Sequence, residues 1–500
     1  MDWNSTQPDT ARVHLAITKI PAKVPVTDPR YGGLLWLQTG GPGSSAVNFI
    51  LRHGKTAQMI IDSPIDPSHN NYDKLDPPKY FDVIGVDPRG INNTTPRLVC
   101  FPDTVTKDVW ALQAGAEGVL GSSNQALANL WTRTTALSAG CTRRMMESED
   151  PNDQLGFHMN TSPVIADIVE VIEKYGKWRE EEATKLLASQ VPHKYRPRSK
   201  EGSDSSISRE ELEAIIERTK WKQGEEKLMF WGLSYGTIIG ATFAAMQPHR
   251  IERAIIDSVA DTSDYYSGQW RTNLQDTDSL LDKFSQYCYE AGPKACALHV
   301  VGGPSSIKHR FTKIIKDIKS HPIGVVSQKH LAPDMITYSD VKSLISEAVY
   351  APIQMWPTVA ELLSDLERRN GTAFAAAKQS SPSIQPPMEA CRHATPYSQE
   401  CAIPDNKAGE ISTAILCTDG NGTYGMTEEA FAAYAAELRE QSWLIGDSWA
   451  QIRLGCVAWG IRPKWRFGGP FAGEIAKGML IVGTLTDPVT PIRKWVIFPL

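Results

Sequence analysis

Residues 227–246 read K-L-M-F-W-G-L-S-Y-G-T-I-I-G-A-T-F-A-A-M. KLMFW (227–231) is an apolar run of strand length, and the run after Gly236 reads as a helix. Between them stands G-L-S-Y-G, residues 232–236, the G-x-S-x-G pattern. A strand that turns at once into a helix needs glycine at both flanks, because side chains there would collide; the turn lifts the Ser234 hydroxyl clear of the sheet. Ser234 is therefore the candidate nucleophile. The N-terminus of the following helix lies beneath the place where negative charge would develop.

Working outward, LLWLQ (34–38) and FDVIGV (81–86) are buried strands stopped by TGGPG and DPRG. AII (254–256) begins a strand ending at Asp257, and MLIV (479–482) is a strand followed directly by GTLTDPVTP. SPVIADIVEVIEKY (162–175) repeats apolar positions at helical spacing, with Ser162 as N-cap and Pro163 at the first helical position. Ser208 and Glu211 fit a capping box for a second helix running to about Lys220. Strands alternating with helices predict an α/β fold: a mostly parallel central sheet with helices on both faces. From 262 to 410 the texture turns helical, with segments 278–291 and 338–350 and Pro-rich loops such as SSPSIQPP (380–387), which reads as an inserted helical cap. The expected organisation is a core over 1–261 with a polar insertion at about 178–225, the cap over 262–410, and a return of the sheet pattern from Ile411 to 500.

A serine hydroxyl is a weak nucleophile and needs a base, an acid that orients the base, and donors for the oxyanion. TGGPG (39–43) follows an early strand, and its backbone can approach a substrate closely; the amides of Gly41 and Tyr235 are the expected donor pair. No Lys-Ser/Thr follows the glycines, so a phosphate-cradling loop is not expected. Asp487 stands at a strand end, where sites of open α/β sheets are built, 253 residues after Ser234 (487 − 234). Asp257, also at a strand end, is the reserve acid. Neither a metal nor an organic cofactor is expected.

Composition narrows the partners. The 500 residues are 41% hydrophobic, with 52 Lys plus Arg against 57 Asp plus Glu and a net charge of −5. That balance offers no electrostatic footprint for nucleic acid or an anionic membrane, and no apolar run reaches the roughly 18 residues of a membrane span. A small peptide or other small molecule is the expected partner. The opening MDWNSTQPDT has neither a basic n-region nor an apolar h-region, so the chain as written carries no export signal. Cysteine usage points the other way. Eight cysteines form an even set with no C-x-x-C pair; Cys288 with Cys296, and Cys391 with Cys401, close short loops. Six N-x-S/T sequons, at Asn4, Asn92, Asn93, Asn160, Asn370 and Asn421, would also suit an oxidising compartment.

These motifs carry a resemblance. Over nearly all of residues 30–495 the chain resembles α/β-hydrolases of the proline iminopeptidase and tripeptidyl aminopeptidase group, through GGPG, FDVIGVDPRGINNTTP, FWGLSYGTIIGATFAAMQPHRIERAIIDSVAD, CVAW, GPF and GTLTDPVTP. The last three resemble that group's C-terminal module. The resemblance implies Ser234 as nucleophile, Asp487 as acid, an oxyanion loop at Gly41, and removal of short N-terminal peptides or a related acyl hydrolysis. It also implies disulfides among Cys100, Cys141, Cys288, Cys296, Cys417 and Cys456. In that group the triad histidine follows the acid by a few tens of residues, whereas this chain stops thirteen residues after Asp487 (500 − 487). Its eleven histidines, His14, His53, His69, His158, His193, His249, His299, His309, His321, His330 and His393, all precede it. Thr39 also replaces the histidine that several relatives carry in the oxyanion loop. Three readings stand side by side: a truncated working hydrolase, a hydrolase that recruits a cap histidine such as His393, and a catalytically dead binding protein. For a working enzyme the substrate is an exopeptidase-type peptide, or a small natural-product ester, lactone or amide of secondary metabolism.

Overall fold

The structure, a computed structural model, describes residues 11–69, 71–73, 75–149, 153–190, 208–328, 331–380, 409–475 and 477–493. Its strands are β1 (Ala16–Ile20), β2 (Tyr31–Gln38), β3 (Tyr80–Asp87), β4 (Leu228–Leu233), β5 (Ile251–Asp257), β6 (Ile323–Val325), β7 (Asp334–Ile336) and β8 (Met479–Val482). The helices of the first half are α1 (Ala46–Ile61), α2 (Thr104–Glu117), α3 (Ala126–Glu147), α4 (Thr161–Gln190), α5 (Arg209–Thr219), α6 (Tyr235–Met246) and α7 (Thr262–Ser267). Those of the second half are α8 (Ser279–Ala291), α9 (Pro304–Ser320), α10 (Tyr338–Ala348), α11 (Pro352–Glu367), α12 (Thr372–Gln379), α13 (Gly409–Asp419), α14 (Glu428–Gln441) and α15 (Gly446–Leu454).

Six strands form one sheet in the order β1-β3-β2-β4-β5-β8. Only β1 runs antiparallel to its neighbour; the other pairings are parallel. The apolar strand runs exist because a parallel sheet is covered on both faces. On one face Leu37 and Val83 pack against Ile50 and Ala57 of α1. On the other, Trp36, Ile84 and Phe230 pack against α4, α6 and Ile411–Cys417 of α13. A second core joins α8 to α12 with α14 and α15. Disulfides Cys100–Cys141 and Cys417–Cys456 lie in the first core, and Cys288–Cys296 lies in the second. Cys391 and Cys401, and the Pro-rich stretch after Ser380, lie outside the described residues.

Three local expectations change. The helix expected at 162–175 starts at Thr161 and continues to Gln190. Ser162 does not cap it: its Oγ accepts from the Phe467 amide, while the Thr161 amide donates to Asp419 Oδ1 at 2.8 Å. A carboxylate from 258 residues away has taken the position that a local side chain usually fills. Part of the polar stretch 178–225 is ordered helix: Arg179 pairs with Glu226 and donates to the carbonyls of Thr219 and Lys220, fastening α4 to the end of α5. Ser208 does cap α5, accepting from the Glu211 amide at 3.1 Å. The third change lies after Ile411, where a return to sheet was expected. Three helices come first, and the next sheet strand is β8. The apolar runs there are spaced for helices that pack on one another, and α14 and α15 share the core of the helical segments.

No helix among the described residues is long and apolar enough to cross a membrane. No cluster of three or more His, Cys, Asp or Glu among them could hold a metal ion.

Candidate active site

β4 ends at Leu233 and α6 begins at Tyr235, leaving Ser234 alone at the turn with φ 54° and ψ −116°. A non-glycine residue at such a φ is strained and is held only where its surroundings over-determine it. Several contacts do so. The Ser234 amide donates to the Asp257 carbonyl at 3.0 Å, and the Thr237 amide donates to the Ser234 carbonyl at 2.8 Å. A methyl group at Gly232 would lie 2.4 Å from the Gly236 carbonyl oxygen, and one at Gly236 would lie 2.5 Å from that of Gln38. Both flanking glycines are therefore required by backbone approach.

The loop leaving β2 closes over the serine. A methyl group at Gly40 would lie 2.6 Å from Ser234 Cβ and 2.9 Å from Oγ, so only glycine allows this contact. Gly41, the expected donor, follows with φ 113° and lines the same cavity as Ser234. Sequence reading passed over Gly40, although it belongs to the same Gly-Gly pair. Thr39 is buried, and its hydroxyl donates to the Ser44 carbonyl at 3.1 Å, which closes the loop on itself.

Ser234, Gly40, Gly41 and Tyr235 line a cavity of about 390 Å³. Four further lining residues are aromatic: Tyr265, Trp270, Tyr350 and Trp449. Ring centroids run from Tyr235 to Tyr265 at 5.8 Å, to Trp270 at 5.7 Å and on to Trp449 at 5.5 Å. Trp270 is itself in the left-handed region, φ 51°, so two non-glycine residues of this cavity carry backbone strain.

Val489 and Thr490, from the loop after β8, also line the cavity. Asp487 lies just behind them, buried. Its Oδ1 accepts from the Val489 amide at 3.0 Å, the Thr490 amide at 2.7 Å and the Thr490 hydroxyl at 2.8 Å. Oδ2 receives only a long 3.3 Å bond from the Thr484 hydroxyl among the described contacts. One oxygen thus fixes the carboxylate and the other keeps acceptor capacity, the division an orienting acid needs. The reserve acid Asp257 is a close neighbour: burial pushes its carboxyl above the ordinary range, and the charge of Asp487 adds to the shift.

None of the described histidines lines this cavity. His14, His53, His69, His249, His309 and His321 are exposed, and His299 stacks on Tyr289 with centroids 5.6 Å apart. His193, His330 and His393 lie outside the described residues.

A buried acid that the sequence did not single out lies behind the elbow. Asp419, at the end of α13, has no exposure and accepts from the Thr161 hydroxyl at 2.6 Å and the Tyr265 hydroxyl at 2.8 Å. Burial pushes its carboxyl up to about 6, against the pull of these donors and of the Arg466 charge. The Tyr235 and Tyr265 phenols are raised well above their ordinary value, first by burial and then by the charge of Asp419.

No family model matches the chain. The chain is 22% identical over 502 residues to the serine protease Hip1 of Mycobacterium tuberculosis, covering 98% of this chain and 75% of that protein. It is 22% identical over 284 residues to a tripeptidyl aminopeptidase of Streptomyces lividans, covering 54% of this chain and 45% of that one. A 97-residue stretch is 35% identical to carboxylesterase B of Mycobacterium tuberculosis, covering 19% of this chain and 15% of that protein. The mostly parallel sheet with its many helices is an α/β fold, and the hydrolase relatives support the α/β-hydrolase arrangement, a serine peptidase-type hydrolase.

Proposed function

We propose that this protein is a serine hydrolase that cleaves a peptide or amide bond through an acyl-enzyme on Ser234, with an aminopeptidase-type preference for short peptides. The observation that carries the reading is the strained Ser234 at the head of α6, against a glycine loop with which it lines a 390 Å³ cavity. In this reading Ser234 Oγ gives its proton to the base and attacks the carbonyl carbon, and the C–N bond then breaks as the amine leaves with that proton. The Gly41 and Tyr235 amides hold the oxyanion, and Asp487 orients the base through Oδ2. The described cavity wall supplies no imidazole, so the base comes from outside it. Water then hydrolyses the acyl-enzyme and restores the serine. The aromatic wall selects an apolar or aromatic group of the substrate.

The 97-residue likeness to a carboxylesterase favours a second reading, hydrolysis of a small ester or lactone in the same cavity. Fluorophosphonate labelling of the full chain, with Ser234→Ala beside it, tests the common step. Rapid labelling that disappears in the variant is expected; equal labelling of both proteins, or none, rules out an activated Ser234 and leaves the binding-protein reading. A panel of tripeptidyl amides against short-chain esters then separates the two substrate classes.

A further inference from the structure

Asp419 is distant from the reacting atoms but is joined to them by an unbroken chain of buried contacts. It holds Thr161 through two bonds, from the amide at 2.8 Å and from the hydroxyl at 2.6 Å. The Thr161 hydroxyl is 2.8 Å from the Tyr235 phenol oxygen. Tyr265, which donates its phenol proton to Asp419, packs its ring 5.8 Å from that of Tyr235 and lines the cavity. Tyr235 is the residue after Ser234, and it opens α6. First-turn amides of a helix have no carbonyl one turn back to bond, so the direction of the Tyr235 amide is set by where its residue is held. The side chain is the handle.

The frame around Asp419 is stiff for identifiable reasons. Cys417, two residues earlier, is bridged to Cys456. Segment 465–467 straps the two helix ends together: the Trp465 carbonyl accepts from Asn160 Nδ2 at 2.5 Å, and Arg466 donates to the Asp419 carbonyl at 2.5 Å and the Tyr266 carbonyl at 2.8 Å. The Phe467 amide donates to Ser162 Oγ at 2.8 Å. The carboxylate also faces the first turn of α4, whose positive end favours a negative charge. A buried carboxylate is costly, and a helix-to-helix contact alone would be served by apolar residues of similar size. Its connections instead converge on the residue that carries an oxyanion donor, where misplacement by a fraction of an ångström lowers the rate.

We propose that Asp419 is a positioning residue for the Ser234 reaction: through Thr161 and the Tyr235 phenol it fixes the Tyr235 amide where the oxyanion forms. This rests on Ser234 being the nucleophile. The test compares Tyr235→Phe, Thr161→Val, Thr161→Ser and Asp419→Asn with the wild-type full chain, by fluorophosphonate labelling rate and by kcat and KM on a p-nitrophenyl ester, alongside thermal unfolding. Ser138→Ala is the control, because Ser138 is equally buried and bonded, to the Gly455 carbonyl at 2.6 Å, but takes no part in this chain.

Tyr235→Phe and Thr161→Val are expected to lower the labelling rate and kcat about 10-fold with KM almost unchanged, and Thr161→Ser to restore most of the loss. Ser138→Ala should lower only the unfolding temperature. If Tyr235→Phe and Thr161→Val lose stability as Ser138→Ala does but keep wild-type labelling and kcat, Asp419 is only a structural acid and the proposal is overturned. Should Asp419→Asn fail to fold, Tyr235→Phe, which deletes a single oxygen, decides the matter. A wild-type chain with no Ser234-dependent labelling overturns the nucleophile itself, and the positioning role with it.

Discussion

The two walls of the Ser234 cavity are built on different principles. The sheet-side wall is made of backbone: Gly40 and Gly41 leaving β2, and Ser234 between Gly232 and Gly236, with Gly40, Gly232 and Gly236 each within methyl-clash distance of a neighbouring segment. The helical wall is made of large side chains, Tyr265, Trp270, Tyr350 and Trp449, delivered from α7, the loop after it, the α10–α11 connection and α15. Backbone contacts of the first kind leave no freedom for substitution, because a Cβ has nowhere to go. Side-chain walls of the second kind change shape and preference while the elbow stays intact, so in the proposed reading reactivity belongs to one wall and selection to the other.

The contrast can be broken most severely at Gly40. Gly40→Ala pushes a methyl group into Ser234 and displaces the glycine loop; Ser234-dependent labelling is expected to fall about 1000-fold, with far-ultraviolet circular dichroism retained. A loss of less than 10-fold would show that the loop is not part of the reactive wall.

Asp419 sharpens the comparison from behind the sheet-side wall. Its carboxyl is raised from 3.8 to about 6, so the proton is favoured in the folded state. The stabilising contribution is full below about pH 3.8 and is lost as the pH rises through 6; across that window it amounts to about 3 kcal/mol. Unfolding free energies at pH 4 and pH 7.5 should therefore show a steeper decline in wild type than in Asp419→Asn. Equal pH dependence of the two proteins would mean that Asp419 titrates normally.

The smallest effect is expected on the helical wall. Trp449→Ala enlarges the cavity, and its expected signature is about a 10-fold change in kcat/KM between aromatic and small aliphatic substrates, with fluorophosphonate labelling of Ser234 within about 2-fold of wild type. A parallel loss of labelling would blur the division between the walls.

Most of the sheet-side wall could be read in the sequence, because its determinants are local. The strand–Gly-x-Ser-x-Gly–helix order, the TGGPG exit and the TDPVT loop each fit within about twenty consecutive residues, and each lies at a strand end where predicted. Gly40 was the near miss, since sequence cannot tell which glycine of a pair touches a partner. The helix start at Thr161 and the helical run 409–454 escaped for the opposite reason: one is capped by a carboxylate far along the chain, and the other packs with helices of the preceding segment. Asp419 gave no signal of its own, because an aspartate before glycines reads as a turn former.

The sequence by itself determined where the chain must bend sharply and which hydroxyl that bend exposes, since glycine spacing and apolar runs act over a few bonds. Only the tertiary structure decided what surrounds that hydroxyl: the aromatic wall and the buried link from Asp419 to Tyr235. Those contacts join residues up to 258 positions apart, and such distances are bridged by packing rather than by local preference.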